Sequence, residues 1–284
     1  MTAVLADAGL GDVEAWSGKG SGDENFPVGS WLIAPKLRPH IHAFYRFARN
    51  ADDIADHDTM SGVEKLRRLD VMQAVLQGRQ TGGAPSAAGL RVSLAQTGVS
   101  DTHALDLLRA FRQDAEKTCY ASWDELYAYC RYSAMPVGRY LLDLHGQTKA
   151  AWAASDALCV VLQVLNHLQD GAKDLANLDR CYLPADMLAA TGGTVAQLKA
   201  DFENDALRQV KLLLLDRCDA LLQDAHMLPG QVADRRLRLE SAIIVSLARR
   251  LSARLRRHDP VAMRVKLGAA DILAASVKSL RYLP

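Results

Sequence analysis

Apolar residues recur at spacings of three and four along most of this chain, which is the pattern of helices that bury one face. The pattern predicts helices at 36–59, 61–79, 85–96, 101–117, 122–148, 154–176, 194–226, 231–257 and 260–281. Strict alternation of apolar and polar residues, which is typical of half-buried strands, is nearly absent. The expected fold class is therefore all-α, a helical bundle with long central helices around a central cavity.

Turn residues separate these helices. Two glycines at 82–83, two more at 192–193 and a Pro-Gly pair at 229–230 mark breaks. Residues 1–30 are weakly patterned and are predicted as a loop-rich segment with a short helix. Because no repeat, linker or shift in composition divides the chain, residues 1–284 are expected to form one domain.

Composition and charge exclude several classes of protein. The formal net charge is +1, so the chain has no general attraction for nucleic acid. Its five cysteines form no CxxC pair, which argues against a disulfide framework or a structural zinc site and favours a reducing compartment. With no signal-peptide pattern and no apolar run of membrane-spanning length, the expected location is cytoplasmic, at most peripheral to the inner face of the membrane.

A first acidic cluster lies in the helix predicted at 36–59. Asp52 and Asp56 are four residues apart and share a helix face, with Arg49 one turn earlier. Like charges at this spacing destabilise a helix by a few tenths of a kcal/mol, so a ligand is expected to compensate them. Carboxylates suit a hard cation such as Mg²⁺, and Arg49 would add donors for an anion bound to it.

A second polar cluster has helical spacing in the region 154–176. Gln163, Asn166, Asp170 and Asp174 follow one another at intervals of three, four and four, which places them on one face of an otherwise apolar helix. Together the two clusters predict a magnesium site of carboxylate and amide oxygens. The alternative is that both are solvated acidic faces of surface helices.

Four segments between about residues 30 and 184 resemble the squalene/phytoene synthase family. The residues at 52–56 and 166–174 are similar to its two aspartate-rich motifs, and those at 129–138 and 180–184 to its Tyr-Cys and Arg-x-x-Leu-Pro segments. The segments 24–28, 45–49, 133–138 and 166–170 are most similar to the bacterial branch that serves hopanoid synthesis. The resemblance implies an isoprenoid-synthase-type bundle that uses Mg²⁺ to convert presqualene diphosphate to hydroxysqualene and diphosphate.

The resemblance also implies roles for individual residues. The metal and diphosphate site would comprise the motif carboxylates and one amide: Asp52, Asp56, Asn166, Asp170 and Asp174. Arg49 would donate to the diphosphate, and Arg180 would be a further contact. Tyr129 would lie near the reacting carbons, and Gln163 would lie close to the second motif and contact the substrate. The chemistry of a carbocation further suggests an aromatic pocket lining, for which the candidates are Phe44, Tyr45, Phe47, Tyr129 and Tyr132. An upstream presqualene diphosphate synthase would be the partner that supplies the substrate.

Two departures from the family pattern suggest a pocket for one diphosphate. Gln169 stands where enzymes that join two farnesyl diphosphates commonly have arginine, and Val28 and Gly29 replace basic residues before Ser30. Two alternatives stay open at this point. One is head-to-head condensation of two prenyl diphosphates by a presqualene diphosphate, squalene or phytoene synthase, and the other is a catalytically silent helical assembly protein.

Eight arginines lie between 235 and 257. One hypothesis is a basic helix face that contacts anionic lipid, since a prenyl substrate and its product dissolve in membranes. The other is a solvated helix whose arginines pair with acids of the same chain. His167 lies within the second motif without a His or Cys at metal-binding spacing, so it is predicted to pack or to form hydrogen bonds.

Overall fold

The structure is a computed structural model that describes residues 12–14 and 32–282. Twelve α-helices are assigned within these residues: α1 Arg38–Ala55, α2 Gly62–Leu76, α3 Pro85–Thr97, α4 Thr102–Asp114, α5 Trp123–Ser133, α6 Met135–Leu144, α7 Trp152–Leu178, α8 Ala185–Ala190, α9 Asp205–Ala225, α10 Leu228–Gln231, α11 Arg235–Leu255 and α12 Ala269–Ser279. Short 3₁₀ helices occupy Lys149–Ala151, Val195–Lys199 and Leu280–Tyr282. The all-α prediction is confirmed, and the cues at 24–31 lie outside the described residues.

Three predicted helices differ substantially from the observed ones. The helix predicted at 122–148 is two helices, α5 and α6, which meet at Ala134. Pro136 explains the break, because it cannot donate a backbone hydrogen bond and its ring clashes with the preceding turn. The helix predicted at 194–226 begins only at 205, where the Asn204 side chain accepts from the Leu207 N–H at 2.9 Å.

The last predicted helix also starts late. Residues 260–267 form no helix, and α12 begins after Gly268. The Asp271 carboxylate accepts from the Gly268 N–H at 2.9 Å, which fixes the first turn of α12. The sequence 260–267 contains enough apolar residues to imitate a helical pattern, but Pro260 and this capping contact confine the helix to 269 onward.

Buried apolar side chains form two clusters. The first, which we call the N-terminal core, comes from α1 to α4 together with Tyr140 and Leu144 of α6. The second, the C-terminal core, comes from α4 to α7, α9 and α11 with their connections. Helix α7 packs against α6, α9 and α11 and is therefore central to the second cluster.

Helix α7 and the turn before it, Lys149–Leu178, are long and apolar enough to cross a membrane by length and composition. However, 61% of the relevant window is buried inside the protein. This burial is what the central helix of a bundle requires, since a helix surrounded by others is apolar on most of its circumference.

Candidate active site

The carboxyl end of α1 carries three aspartates and one arginine on adjoining faces. Arg49 Nη1 lies 3.1 Å from Asp52 Oδ2, and Arg49 Nη2 lies 2.8 Å from Asp53 Oδ1. Asp53 is buried, whereas the Asp52 side chain keeps 32% of its surface accessible. The i,i+3 and i,i+4 spacings of a helix place both carboxylates beside one guanidinium, which offsets their mutual repulsion.

Arg180 joins the end of α1 to the end of α4. Its Nη1 donates to Asp56 Oδ1 at 2.5 Å, and its Nη2 donates to the carbonyls of Ala55 at 3.1 Å and Asp114 at 2.8 Å. The arginine is buried, with 6% of its surface exposed. Asp179, the residue that ends α7, has a left-handed backbone with φ of 52°, and this turn directs Arg180 toward the two helix ends.

Helix α7 presents the second cluster. Arg264, from the segment after α11, binds Asp170 through both carboxylate oxygens, with N–O distances of 2.7 Å. The Gln163 amide lies 3.2 Å from His167 Nε2, and Asn166 is half-buried between these positions. Gln169 is buried and donates to the Val265 carbonyl, so it helps to hold the same segment that carries Arg264.

Electrostatic coupling shows that the two acidic clusters lie close together. Burial raises the pKa of Asp174 to about 7, and the negative charges of Asp170 and Asp56 add to this effect. Burial likewise raises the pKa of Asp52 well above its usual range, and the negative charge of Asp56 raises it further.

Asp114, the last residue of α4, is a further carboxylate at this place. Tyr129 donates its hydroxyl hydrogen bond to Asp114 Oδ2 at 2.8 Å, deep in the protein. Burial raises the pKa of Asp114 to about 7, although the charge of Arg180 opposes this rise. Asp114 Oδ1 is buried and has no hydrogen-bond partner among the described residues.

Aromatic rings pack beside these carboxylates. His167 stacks on Tyr182 with 3.6 Å between ring centroids and an interplanar angle of 12°. Tyr129 lies 6.0 Å from Tyr182 and 6.4 Å from His167, and Tyr120 lies 5.2 Å from Tyr129. Burial, with the nearby charge of Arg180, lowers the pKa of His167 to about 3, so its imidazole is neutral at ordinary pH.

Two residues predicted to line the pocket lie farther along α1. Phe44 is buried and stacks on Tyr140 at 3.9 Å between centroids, within the N-terminal core. Tyr45 is half-buried on the neighbouring face of α1. The structure therefore brings Asp56 close to Arg180 and to the charge of Asp174, whereas Phe44 contributes to the packing that positions α1.

Sequence reasoning missed several members of this group. Asp114 has no acidic residue three or four positions away, so no pattern drew attention to it. Arg264 lies 94 residues from Asp170 in a segment predicted as helix. Tyr120 lies in a connection between helices, so its place in the aromatic group had no periodic signal in the sequence.

The residues fit a magnesium ion by their chemistry. Carboxylate and amide oxygens are the ligands that Mg²⁺ accepts, and the unpartnered Asp114 oxygen lies in the same region. Among the described residues, no three His, Cys, Asp or Glu side chains converge as a ready metal-binding group. Arginines instead hold Asp52, Asp56 and Asp170, each of which would exchange an ion pair for a metal contact.

Comparison with known proteins shows that this all-α bundle, with acidic clusters on α1 and α7, is a prenyl synthase. Residues 20–271 match the family described as "Squalene/phytoene synthase", and the chain belongs to this family. It is 48% identical to the hydroxysqualene synthase of Rhodopseudomonas palustris, over 93% of this chain and 90% of that protein. It is 46% identical to the hydroxysqualene synthase of Sinorhizobium fredii, over 91% and 88%.

A solved structure shares the architecture. The squalene synthase HpnC from Alicyclobacillus acidocaldarius superposes with a TM-score of 0.72 at 33% identity, covering 81% of this chain and 87% of that chain. The resemblance to the family, stated above from its motifs, is confirmed by these comparisons.

Proposed function

We propose that this chain converts presqualene diphosphate to hydroxysqualene and diphosphate with the help of Mg²⁺. Its relatives of 43–48% identity are hydroxysqualene synthases that match nine tenths of its length or more. The observation that carries the proposal is the position of Arg180, which brings the acidic end of α1 to the end of α7 beside a group of aromatic rings.

The departing diphosphate needs positive charge, because an anionic leaving group separates slowly from carbon unless its charge is neutralised. Mg²⁺ held by oxygens of Asp52, Asp56, Asn166, Asp170 and Asp174 would supply that charge. Arg49 and Arg180 lie beside these carboxylates. Once metal ions bind the carboxylates, the two guanidinium groups would be able to donate charged hydrogen bonds to the diphosphate.

Loss of the diphosphate group from presqualene diphosphate leaves a cyclopropylcarbinyl cation. An aromatic face turned toward this cation would stabilise it by roughly 0.5–2 kcal/mol, and Tyr129, which is expected near the reacting carbons, is the candidate. The low pKa of His167 serves the same purpose, because a neutral imidazole adds no repulsion beside the cation. Capture by one water forms the carbon–oxygen bond of hydroxysqualene and releases one proton.

Product analysis tests the proposal. The purified chain is incubated with presqualene diphosphate and Mg²⁺ in the absence of nicotinamide, and the products are identified by mass spectrometry. We expect hydroxysqualene and inorganic diphosphate in equal amounts. Parallel incubations with farnesyl or geranylgeranyl diphosphate alone test head-to-head condensation. Efficient condensation without turnover of presqualene diphosphate would contradict the proposal.

A silent assembly protein makes a different prediction. If the acidic residues bind neither metal nor anion, Mg²⁺ with inorganic diphosphate leaves the melting temperature unchanged. Under our proposal the two ligands together raise it, and each alone raises it less. Under our proposal, an upstream presqualene diphosphate synthase would supply the substrate.

Gln169 bears on the choice between one and two diphosphates. Its side chain is 4% exposed and donates to the Val265 carbonyl. An arginine at this position would have to displace the segment 260–267, so the absence of arginine here is coupled to the path of that segment. We infer that Gln169 favours a pocket for a single diphosphate by holding this segment over α7.

A further inference from the structure

Helix α12 carries an apolar face that is open to solvent. Ile272, Leu273, Val277 and Leu280 are 52%, 66%, 59% and 52% exposed. At 100° per residue, these positions lie within about 140° of the helix circumference. Met263, in the segment before α12, is 66% exposed. We call these five residues the α12 face.

The charges around the α12 face have one sign. The exposed ionisable residues between 260 and 282 are Lys266, Lys278 and Arg281, together with Arg264, whose guanidinium already pairs with Asp170. The acidic residue of this stretch, Asp271, is 7% exposed and lies 2.6 Å from Arg254 and 3.5 Å from Arg250. The exposed surface of residues 260–282 is therefore apolar and cationic without a carboxylate.

The segment that leads into α12 is held beside the second acidic cluster. The segment that leads into α12 is anchored to α7 by two contacts, from Gln169 to the Val265 carbonyl and from Arg264 to Asp170. Val265 itself is buried.

We propose that the α12 face binds the surface of a bilayer that contains anionic lipids. Apolar side chains bordered by lysine and arginine are the combination that binds this interface, since the apolar groups enter the acyl boundary while the cations meet phosphates. The choice of a bilayer as partner rests in part on the proposed function, because a substrate and a product with long hydrocarbon chains reside in membranes.

The lipid contact would lie on α12 rather than on the arginine-rich region 235–257. Several arginines of that region are engaged within the protein: Arg249 donates to the Leu222 carbonyl, Arg256 binds Asp216 and Asp219, and Arg238 donates to the Val232 and Ala233 carbonyls. With Arg250 and Arg254 on Asp271, α11 presents fewer uncommitted cations than its sequence suggests.

Vesicle co-sedimentation of the full chain tests the proposal. Vesicles of phosphatidylcholine alone are compared with vesicles that also contain phosphatidylglycerol, at low and at high salt. We expect binding to the anionic vesicles that weakens at high salt. The double variant Leu273→Glu with Val277→Glu should bind at least about tenfold more weakly, since it removes apolar contacts and adds two repelled charges.

A matched control uses apolar residues of similar exposure elsewhere. Val63 on α2 and Val92 on α3 are 80% and 55% exposed. The double variant Val63→Glu with Val92→Glu should bind like the wild type. Equal loss in both double variants, or no binding of the wild type to anionic vesicles at low salt, would overturn the proposal.

Two further measurements distinguish a bilayer from a second copy of the chain as the partner of the α12 face. Light scattering after size exclusion would reveal a dimer that the α12 variant abolishes, and this result would overturn the proposal by assigning the face to the second copy. Turnover of substrate in detergent micelles should be unchanged in the α12 variant, whereas turnover of substrate in anionic vesicles should fall. If the chain turns over no substrate, the proposed function fails, but the comparison of vesicle binding still tests the α12 face. Failure of the proposed function can therefore be distinguished from failure of the membrane proposal.

Discussion

Arg264 and Asp170 form a two-point ion pair, with a guanidinium nitrogen 2.7 Å from each carboxylate oxygen. The pair joins the segment after α11 to the middle of the second acidic cluster. Because the arginine engages both carboxylate oxygens, a metal ion that binds Asp170 would compete with it for these oxygens.

Removal of Arg264 should therefore ease metal binding. Because partly exposed ion pairs contribute up to about 1 kcal/mol, we expect Arg264→Gln to lower the Mg²⁺ concentration for half-maximal thermal stabilisation about two- to fivefold. The measurement is a melting-temperature titration without diphosphate, and Lys266→Gln, a nearby exposed cation, is the control. An unchanged or higher Mg²⁺ requirement in Arg264→Gln would show that the pair does not compete.

Arg180 should be essential to stability as well as to the site. Arg180→Met removes a buried charge and leaves Asp56 and two carbonyls without this donor. Breaking a fully buried ion pair on one side costs about 3–5 kcal/mol. Because the Asp56 side chain keeps 31% of its surface exposed, the free energy of unfolding in urea should fall by less, about 2–3 kcal/mol. Arg281→Met, at an exposed position of the last turn, should change it little. A small loss in Arg180→Met would mean that Asp56 finds another partner or water.

The hydroxyl of Tyr129 should matter independently of its ring. Tyr129→Phe keeps the ring next to Tyr182 but removes the donor to Asp114. An unsatisfied buried group costs about 1–3 kcal/mol, so the free energy of unfolding should fall by this amount. Tyr132→Phe, at a half-buried position beneath Arg109, is the control. Equal stability of Tyr129→Phe and wild type would indicate that Asp114 is already satisfied by solvent.

The pH dependence of stability follows from two buried carboxyl groups. The pKa values of Asp114 and Asp174 are raised from 3.8 to about 7. A group with a raised pKa in the folded state stabilises the fold fully below its unfolded pKa, and this contribution is lost as the pH rises to the folded value. Ionisation of these two groups should therefore lower the free energy of unfolding of the metal-free protein as the pH rises from 3.8 to about 7.

Calorimetric melting across this pH range measures the effect. Asp114→Asn should flatten the decline, because the amide does not ionise. Mg²⁺ with diphosphate should stabilise the wild type most above the folded pKa, where cations replace protons. A decline of equal slope in Asp114→Asn would assign the pH dependence to other groups.

Gly138 lies where α6 approaches α7 closely, at the end of the Tyr-Cys segment. A Cβ at this position of α6 would lie 2.4 Å from Ser155 Oγ and 2.7 Å from Cys159 Sγ on α7. We expect Gly138→Ala to lower the free energy of unfolding by about 1–3 kcal/mol, the usual cost of overpacking. Gly89→Ala on α3, where nothing lies within 4 Å, should be neutral or stabilising by up to about 1 kcal/mol. Equal effects of the two variants would contradict this close approach of α6 and α7.

The sequence by itself determined the helical class and the composition of the two acidic clusters. Helical periodicity is local, so the spacing of Asp52 and Asp56, or of Asn166, Asp170 and Asp174, already places each set on one face. Local patterns also located most of the helix breaks, because glycine and proline act on the backbone within a turn of their own position.

Tertiary structure alone decided which side chains meet across these faces. Arg180 reaches Asp56 over 124 residues, and Arg264 reaches Asp170 over 94. Such contacts depend on how α1, α4 and α7 pack, and no periodicity records that packing. The same holds for Asp114, whose raised pKa arises from burial between helix ends rather than from any neighbour in the chain.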